Sequence, residues 1–199
     1  MSRSFAKLAF EASRSRAGSL PPLVLMTDDE RLPDPVAAAL GLPRGSLVVV
    51  RAKSDERRLR IAFELARIAR RRGLFLLIAD DPGLAARFGA DGVHFPEARA
   101  GRIAYWRARR PGWLFTASAH SLRAVAHASR SGADAVFLSP VFFTRSHPGR
   151  AALGAMRLRM IAQMSRVPVY ALGGIDAETV ARIRGAPIAG IAAIGALAN

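Results

Sequence analysis

Short runs of Val, Ile, Leu and Phe recur along the chain, separated by Arg- and Ala-rich stretches in which apolar residues return every three or four positions. The runs predict strands and the stretches predict helices, because apolar side chains fill both faces of a covered parallel sheet but only one stripe of a helix. Eight strands are expected: LVLMT from Leu23, SLVVVRA from Ser46, LFLLIAD from Leu74, GVHF from Gly92, LFTASAH from Leu114, AVFLSPV from Ala135, PVYALGG from Pro168 and AGIAAIG from Ala189. Between the second and third lies the clearest helix, DERRLRIAFELARIARRRG. Its Leu59, Ile61, Ala62, Leu65, Ala66, Ile68 and Ala69 recur at helical spacing, and Gly73 follows as a stop. Gly89, Gly132 and Gly185 punctuate later helices in the same way, Asp81 is placed to cap the helix after the third strand, and Asp176 the helix after the seventh.

Eight strands alternating with helices predict a small (β/α)₈ barrel of the TIM type, since an open doubly wound sheet has fewer strands. Residues 21–199 form the expected barrel domain, and residues 1–20 an N-terminal extension of the same domain. The barrel is expected to lack its last helix, since the sequence as given stops at Asn199 directly after the eighth strand. The segment Phe5 to Arg16, with Phe5, Leu8, Ala9 and Phe10, or a second subunit in a homodimer, is expected to cover that strand.

Composition narrows the class. At 199 residues with 51% hydrophobic and 23% charged residues, the chain is globular, and the absence of Cys removes disulfides, thiolate metal sites and cysteine nucleophiles. No leader-like apolar segment and no run near the ~18 residues of a membrane span is present, so a cytoplasmic protein without membrane attachment is expected. Thirty basic against fifteen acidic residues give a net charge of +15, and only Lys7 and Lys53 of the thirty are lysines. Arg57, Arg58, Arg60, Arg67, Arg70, Arg71 and Arg72 spread around one helix instead of lining a stripe with aromatics. The excess therefore reads as solvated faces, and no nucleic-acid partner is expected.

In such barrels chemistry sits at the C-terminal strand ends, and polar residues collect there. Arg51 and Lys53, two apart, are expected to share a face and meet one phosphate, combining a bidentate fork with a point charge. Gly173 and Gly174 after the seventh strand, with Gly195 after the eighth, offer backbone N–H groups to a second phosphate where the next helix opens. Thr116, Ser118 and His120 alternate onto one face, placing hydroxyl and imidazole together for proton transfer. His94 is a candidate lining residue, and Asp80 a candidate Mg²⁺ ligand beside a diphosphate.

These motifs, LVLMTDDERL, VVVRAKS, LLIADD, GADGVHFPE, TASAHS, GADAVFLSPVFFTRSHPG, PVYALGGIDAETV and AAIGAL, resemble in order and spacing those of the thiamine phosphate synthase and TenI superfamily. The resemblance implies a (β/α)₈ barrel of thiamine biosynthesis that binds thiazole phosphate. In the synthase branch it implies a Mg²⁺-dependent joining of that phosphate to a pyrimidine pyrophosphate. It matches Arg51 and Lys53 to the pyrophosphate-binding pair, Asp80 to the first Mg²⁺ aspartate and Ser118 to the serine after strand five. Gly173 and Gly174, with Ile194 and Gly195, match the thiazole phosphate site, and Thr144, Ser146 and His147 fall in the loop after strand six. Ala79, Arg99 and His147 stand where the synthases carry Asn, a second Mg²⁺ Asp and Lys. Those departures, with His120 matching a TenI histidine, lead us to expect a TenI-like tautomerase in which His120 moves a proton and no cofactor is required. The alternatives are a divergent synthase using Mg²⁺ and a non-catalytic phosphate-ligand or nucleic-acid binder.

Overall fold

Eight parallel strands close on themselves in chain order in the computed structural model, which describes residues 20–144 and 151–197. They are β1 Leu23–Met26, β2 Leu47–Val50, β3 Phe75–Ala79, β4 Gly92–Phe95, β5 Leu114–Ala119, β6 Ala135–Leu138, β7 Val169–Leu172 and β8 Gly190–Ala193. Pairing of Leu23 with Ile191 and Leu25 with Ala193 closes the ring. The eight expected strands are thus the eight observed, each beginning within one residue of its expected start.

Side chains alternate across the barrel wall. Val24, Met26, Leu47, Val49, Leu77, Phe137, Tyr170 and Ala192 fill the interior, while Leu25, Val48, Ile78, Phe115, Val136 and Ile191 face outward into the layer shared with the helices. The helices are α1 Pro35–Leu40, α2 Asp55–Arg72, α3 Pro82–Phe88, α4 Arg102–Arg109, α5 Leu122–Arg130 and α6 Gly154–Met164. Helix α2 is the one read from sequence: Ser54 caps it, Asp55 and Glu56 sit in its first turn, Arg70, Arg71 and Arg72 in its last, and Gly73 ends it in the left-handed conformation. Asp81 caps α3 as expected, its carboxylate accepting from the Leu84 N–H.

After β7 the structure departs from expectation. No α-helix opens at Asp176; the chain makes a turn capped by Asp176 and then a short 3₁₀ helix, Val180–Ile183. Thr179, Val180 and Ile183 are β-branched, and Gly185 and Pro187 follow too soon for a longer helix to propagate. At β8, Ile191 and Ala193 are buried; the segment expected to cover them, Phe5 to Arg16, lies outside the described residues.

Tyr170 fills the interior below the mouth, fully buried and edge-on to Phe137, and its hydroxyl donates to the Pro21 carbonyl at 2.7 Å. Burial pushes its ionisation above the usual tyrosine range. Tyr170→Phe should leave that carbonyl without a partner and lower stability by about 1 kcal/mol, measured by chemical denaturation. Among the described residues no helix is long and apolar enough to cross a membrane.

Candidate active site at the barrel mouth

The ends of β1 and β2 are tied together before any ligand is considered. The buried Thr27 hydroxyl donates to the Arg51 carbonyl at 2.7 Å and accepts from the Arg51 N–H at 2.8 Å, fixing the backbone from which the Arg51 side chain leaves. Asp28 receives two guanidinium groups on one oxygen: Oδ2 accepts from Arg31 Nη2 at 2.7 Å and from Arg51 Nη2 at 2.5 Å. Its Oδ1 accepts from the Arg31 backbone and Nε, both at 3.1 Å. Burial opposes ionisation of Asp28, but the Arg31 hydrogen bonds and the charges of Arg31 and Arg51 outweigh it, holding the carboxyl well below the usual carboxylate range.

A cavity of about 270 Å³ opens beside this knot, lined by Met26, Arg51, Arg58, Ala79, Asp80, His94, Pro96 and Ser118, among others. His94 comes from the interior face of β4, stacks on Phe137 with ring centroids 4.8 Å apart, and bonds two hydroxyls of β5. Nδ1 lies 2.9 Å from Thr116 Oγ1 and Nε2 lies 2.9 Å from Ser118 Oγ. Burial, and then the charge of Arg51, push its pKa down to about 3, so the ring is neutral at ordinary pH.

Asp80 stands opposite Arg51 in an unusual backbone state. Its φ of 58° makes it the sole non-glycine residue with positive φ among the described residues, and such strain gathers where a side chain must be aimed. Its carboxylate pairs with Arg99 through Oδ2, and Arg102 Nη1 lies 3.9 Å from Oδ1.

A second cavity, of about 420 Å³, lies at the ends of β7 and β8. Gly173, Gly174, Ile194 and Gly195 line it with Thr144 and Arg31. Gly174 has φ +65°, and a Cβ there would stand 2.5 Å from the Phe143 carbonyl oxygen, so the loop after β6 closes directly on it. With a 3₁₀ turn in place of the expected helix, whatever anion-binding capacity the loop has comes from these glycine N–H groups and from Arg31, not from a helix dipole.

A profile of the family described as thiamine monophosphate synthase matches residues 23–197. The chain belongs to the thiamine monophosphate synthase family. It is 34% identical over 194 residues to the thiamine-phosphate synthase of Salinispora arenicola (strain CNS-205), covering 91% of each chain. The thiamine-phosphate synthase of Synechococcus sp. (strain WH7803) is 34% identical over 188 residues, 88% of this chain, but the match spans only about half (52%) of that longer protein. Among solved structures, a thiamine phosphate pyrophosphorylase from Pyrococcus furiosus superposes with a TM-score of 0.75 at 25% identity, covering 91% of this chain and 89% of that one.

The synthase resemblance implies Mg²⁺ at Asp80, and the residues present do not fit it. Arg99 is bonded to the one carboxylate on offer and Arg102 stands beside its other oxygen. No group of three His, Asp or Glu side chains among the described residues is arranged to hold a metal ion. A dication there would meet two guanidinium charges before it met a second carboxylate.

Set in this family's barrel, the residues read from sequence divide. Arg51, His94, Ser118 and Asp80 meet in one cavity, and Gly173, Gly174, Ile194, Gly195 and Thr144 in the other. Ser146 and His147 lie outside the described residues. Lys53 does not accompany Arg51: β2 ends at Val50, alternation stops there, and the lysine pairs with Glu30 on the surface. His120 does not accompany Ser118 for the same reason. Strand β5 ends at Ala119, and the His120 ring turns so that Nδ1 lies 2.6 Å from the Ser139 carbonyl oxygen, within an outer groove shared with Glu97 and His127. Sequence reasoning gave no site role to Arg31, Asp28 or Arg58. The first two follow Thr27 at the end of β1, and Arg58 lies in the first turn of α2, where a side chain reaches back over the mouth.

Proposed function

We propose that the chain catalyses the synthase reaction of its family, joining the pyrimidine of a pyrimidine pyrophosphate to thiazole phosphate with release of diphosphate. The observation that carries this reading is the pairing of two cavities at one barrel mouth, one lined by glycine backbone and Arg31, the other by Arg51, Arg58 and Asp80. Thiazole phosphate takes the first and the pyrimidine pyrophosphate the second. A bond forms from the thiazole ring to the pyrimidine carbon as the bond from that carbon to diphosphate breaks, and the electron pair leaves with the diphosphate. Arg51 and Arg58, with Arg99 and Arg102 behind Asp80, supply positive charge where it is needed as the leaving group develops its own. Ser118, held by His94, offers the cavity a fixed hydroxyl.

The tautomerase reading needs an acid and base beside the bound thiazole, and His120, bonded to the Ser139 carbonyl, lines the outer groove with Glu97 and His127 and does not line the glycine-lined cavity. Membership in an enzyme family, shared by synthases over most of the barrel, ranks a non-catalytic binder lower still. The test is an end-point assay with both substrates, reading thiamine phosphate by chromatography, with and without a metal chelator. Product is expected, and absence of product from folded protein with or without added Mg²⁺ overturns the reading.

A further inference from the structure

Asp28 holds a cation of each cavity. Arg31, which lines the β7–β8 cavity, reaches it with Nε on Oδ1 and Nη2 on Oδ2. Arg51, which lines the β2–β4 cavity, reaches the same Oδ2 with Nη2. Each arginine keeps a third or more of its side chain open to solvent, whereas Asp28 keeps only 15%. A planar guanidinium has five N–H donors in a fixed fork, of which Asp28 takes two side-chain donors from Arg31 and one from Arg51. Side-chain freedom is the main cost of using a long arginine as an anion ligand, and a buried carboxylate that fixes it removes that cost beforehand.

We propose that Asp28 is a positioning residue for both substrates, a shared counter-ion that holds Arg31 toward the phosphate of one and Arg51 toward the diphosphate of the other. The inference rests on the assignment of one anionic substrate to each cavity. It goes further in making the two affinities depend on one side chain that touches neither ligand. The carboxylate lies at the end of β1, between β8 and β2 in the ring, which is the one strand adjacent to both cavities' strands. Asp29 does not share the role: it accepts from the Lys53 N–H and from Arg57 Nε, neither of which lines either of the two cavities.

The test measures binding by calorimetry with two probes, inorganic diphosphate and thiazole phosphate, on the wild type and on Arg31→Gln, Arg51→Gln and Asp28→Asn. Arg31→Gln is expected to weaken thiazole phosphate at least tenfold and leave diphosphate within threefold; Arg51→Gln should do the reverse. Asp28→Asn should weaken both at least fivefold. The double variant Asp28→Asn with Arg31→Gln should bind thiazole phosphate no more weakly than Arg31→Gln alone, which a general loss of structure would not reproduce. If Asp28→Asn does not fold, Asp28→Glu carries the test, because it keeps the charge but displaces both arms and should still weaken both probes together. Unchanged affinity for either probe in the Asp28 variant overturns the proposal, as does additivity in the double variant. Wild-type protein that binds both probes but makes no thiamine phosphate overturns the synthase reading and leaves this proposal standing; failure to bind either probe overturns both.

Discussion

Gly174→Ala is expected to cost the protein both stability and its grip on thiazole phosphate. A left-handed φ of +65° at this position is strained by about 1–2 kcal/mol for any residue with a Cβ, and here the added carbon would also lie 2.5 Å from the Phe143 carbonyl oxygen and 2.8 Å from Phe142. The loop after β6 must therefore move, and it contributes Thr144 to the cavity beside Gly173 and Gly174. Gly45 provides the control. Its φ is +80°, but nothing lies within 4 Å of a Cβ built there. Gly45→Ala should lower stability by the backbone strain alone and leave ligand affinity unchanged, whereas Gly174→Ala should lose more stability and at least tenfold in thiazole phosphate affinity. Thermal denaturation and calorimetry on the two variants separate strain from steric conflict, and equal behaviour of the pair would remove Gly174 from the site.

The second large effect concerns acid stability. His94 is neutral in the fold with a pKa near 3, against 6.5 for the free side chain. Between those values the unfolded chain binds a proton that the folded chain refuses, so stability rises with pH across the window and falls as pH drops from 6.5 toward 3. The slope from this one group approaches about 1.4 kcal/mol per pH unit. Asp28 acts in the same direction, but its contribution is held above the ordinary aspartate value of 3.8 and lost only below it, so the interval from pH 4.5 to 6.5 reports mainly on His94. His94→Gln, which keeps a polar atom near Ser118 but has no proton to gain, should be less stable than wild type at pH 7. It should also lose roughly 2–3 kcal/mol less on going from pH 6.5 to 4.5. Denaturant titrations at the two pH values read the difference directly, and equal losses in the two proteins would show that the ring is not held neutral.

What the sequence made legible follows from the range of the forces involved. The barrel strands are short apolar runs bounded by polar ends, and burial on both faces leaves that signature in composition alone, so all eight were readable. The glycine-lined cavity was readable for a similar reason, since Gly173, Gly174 and Gly195 stand at strand ends where a side chain would be expected. Alternation failed at Lys53 and His120, though it still held for Arg51, one residue past the end of β2. Lys53 and His120 each sit one or more residues beyond, where the chain has left the sheet and period two no longer applies. The helix after β7 was over-read from its punctuation, because Asp176 and Gly185 cap turns as well as helices. Arg31 and Arg58 were hidden among twenty-eight arginines, and only the tertiary arrangement distinguishes the few that point into the mouth; nothing in the sequence separates Asp28 from Asp29 beside it.

The hydroxyls on either side of His94 fix more than the ring's position. Thr116 is wholly buried and its hydroxyl has one partner, Nδ1 of His94. Its proton therefore goes to that nitrogen, because no other acceptor is within reach and a buried donor left unmade is costly. A neutral imidazole that accepts at Nδ1 carries its own proton at Nε2, which it gives to Ser118 Oγ. With that oxygen already receiving a bond, the Ser118 proton is turned away from the ring and toward the cavity. The barrel interior thus sets the polarity of a group on its surface: Ser118 turns its proton toward a ligand and offers it to a lone pair, such as that of a ring nitrogen or a phosphate oxygen, in that corner of the mouth.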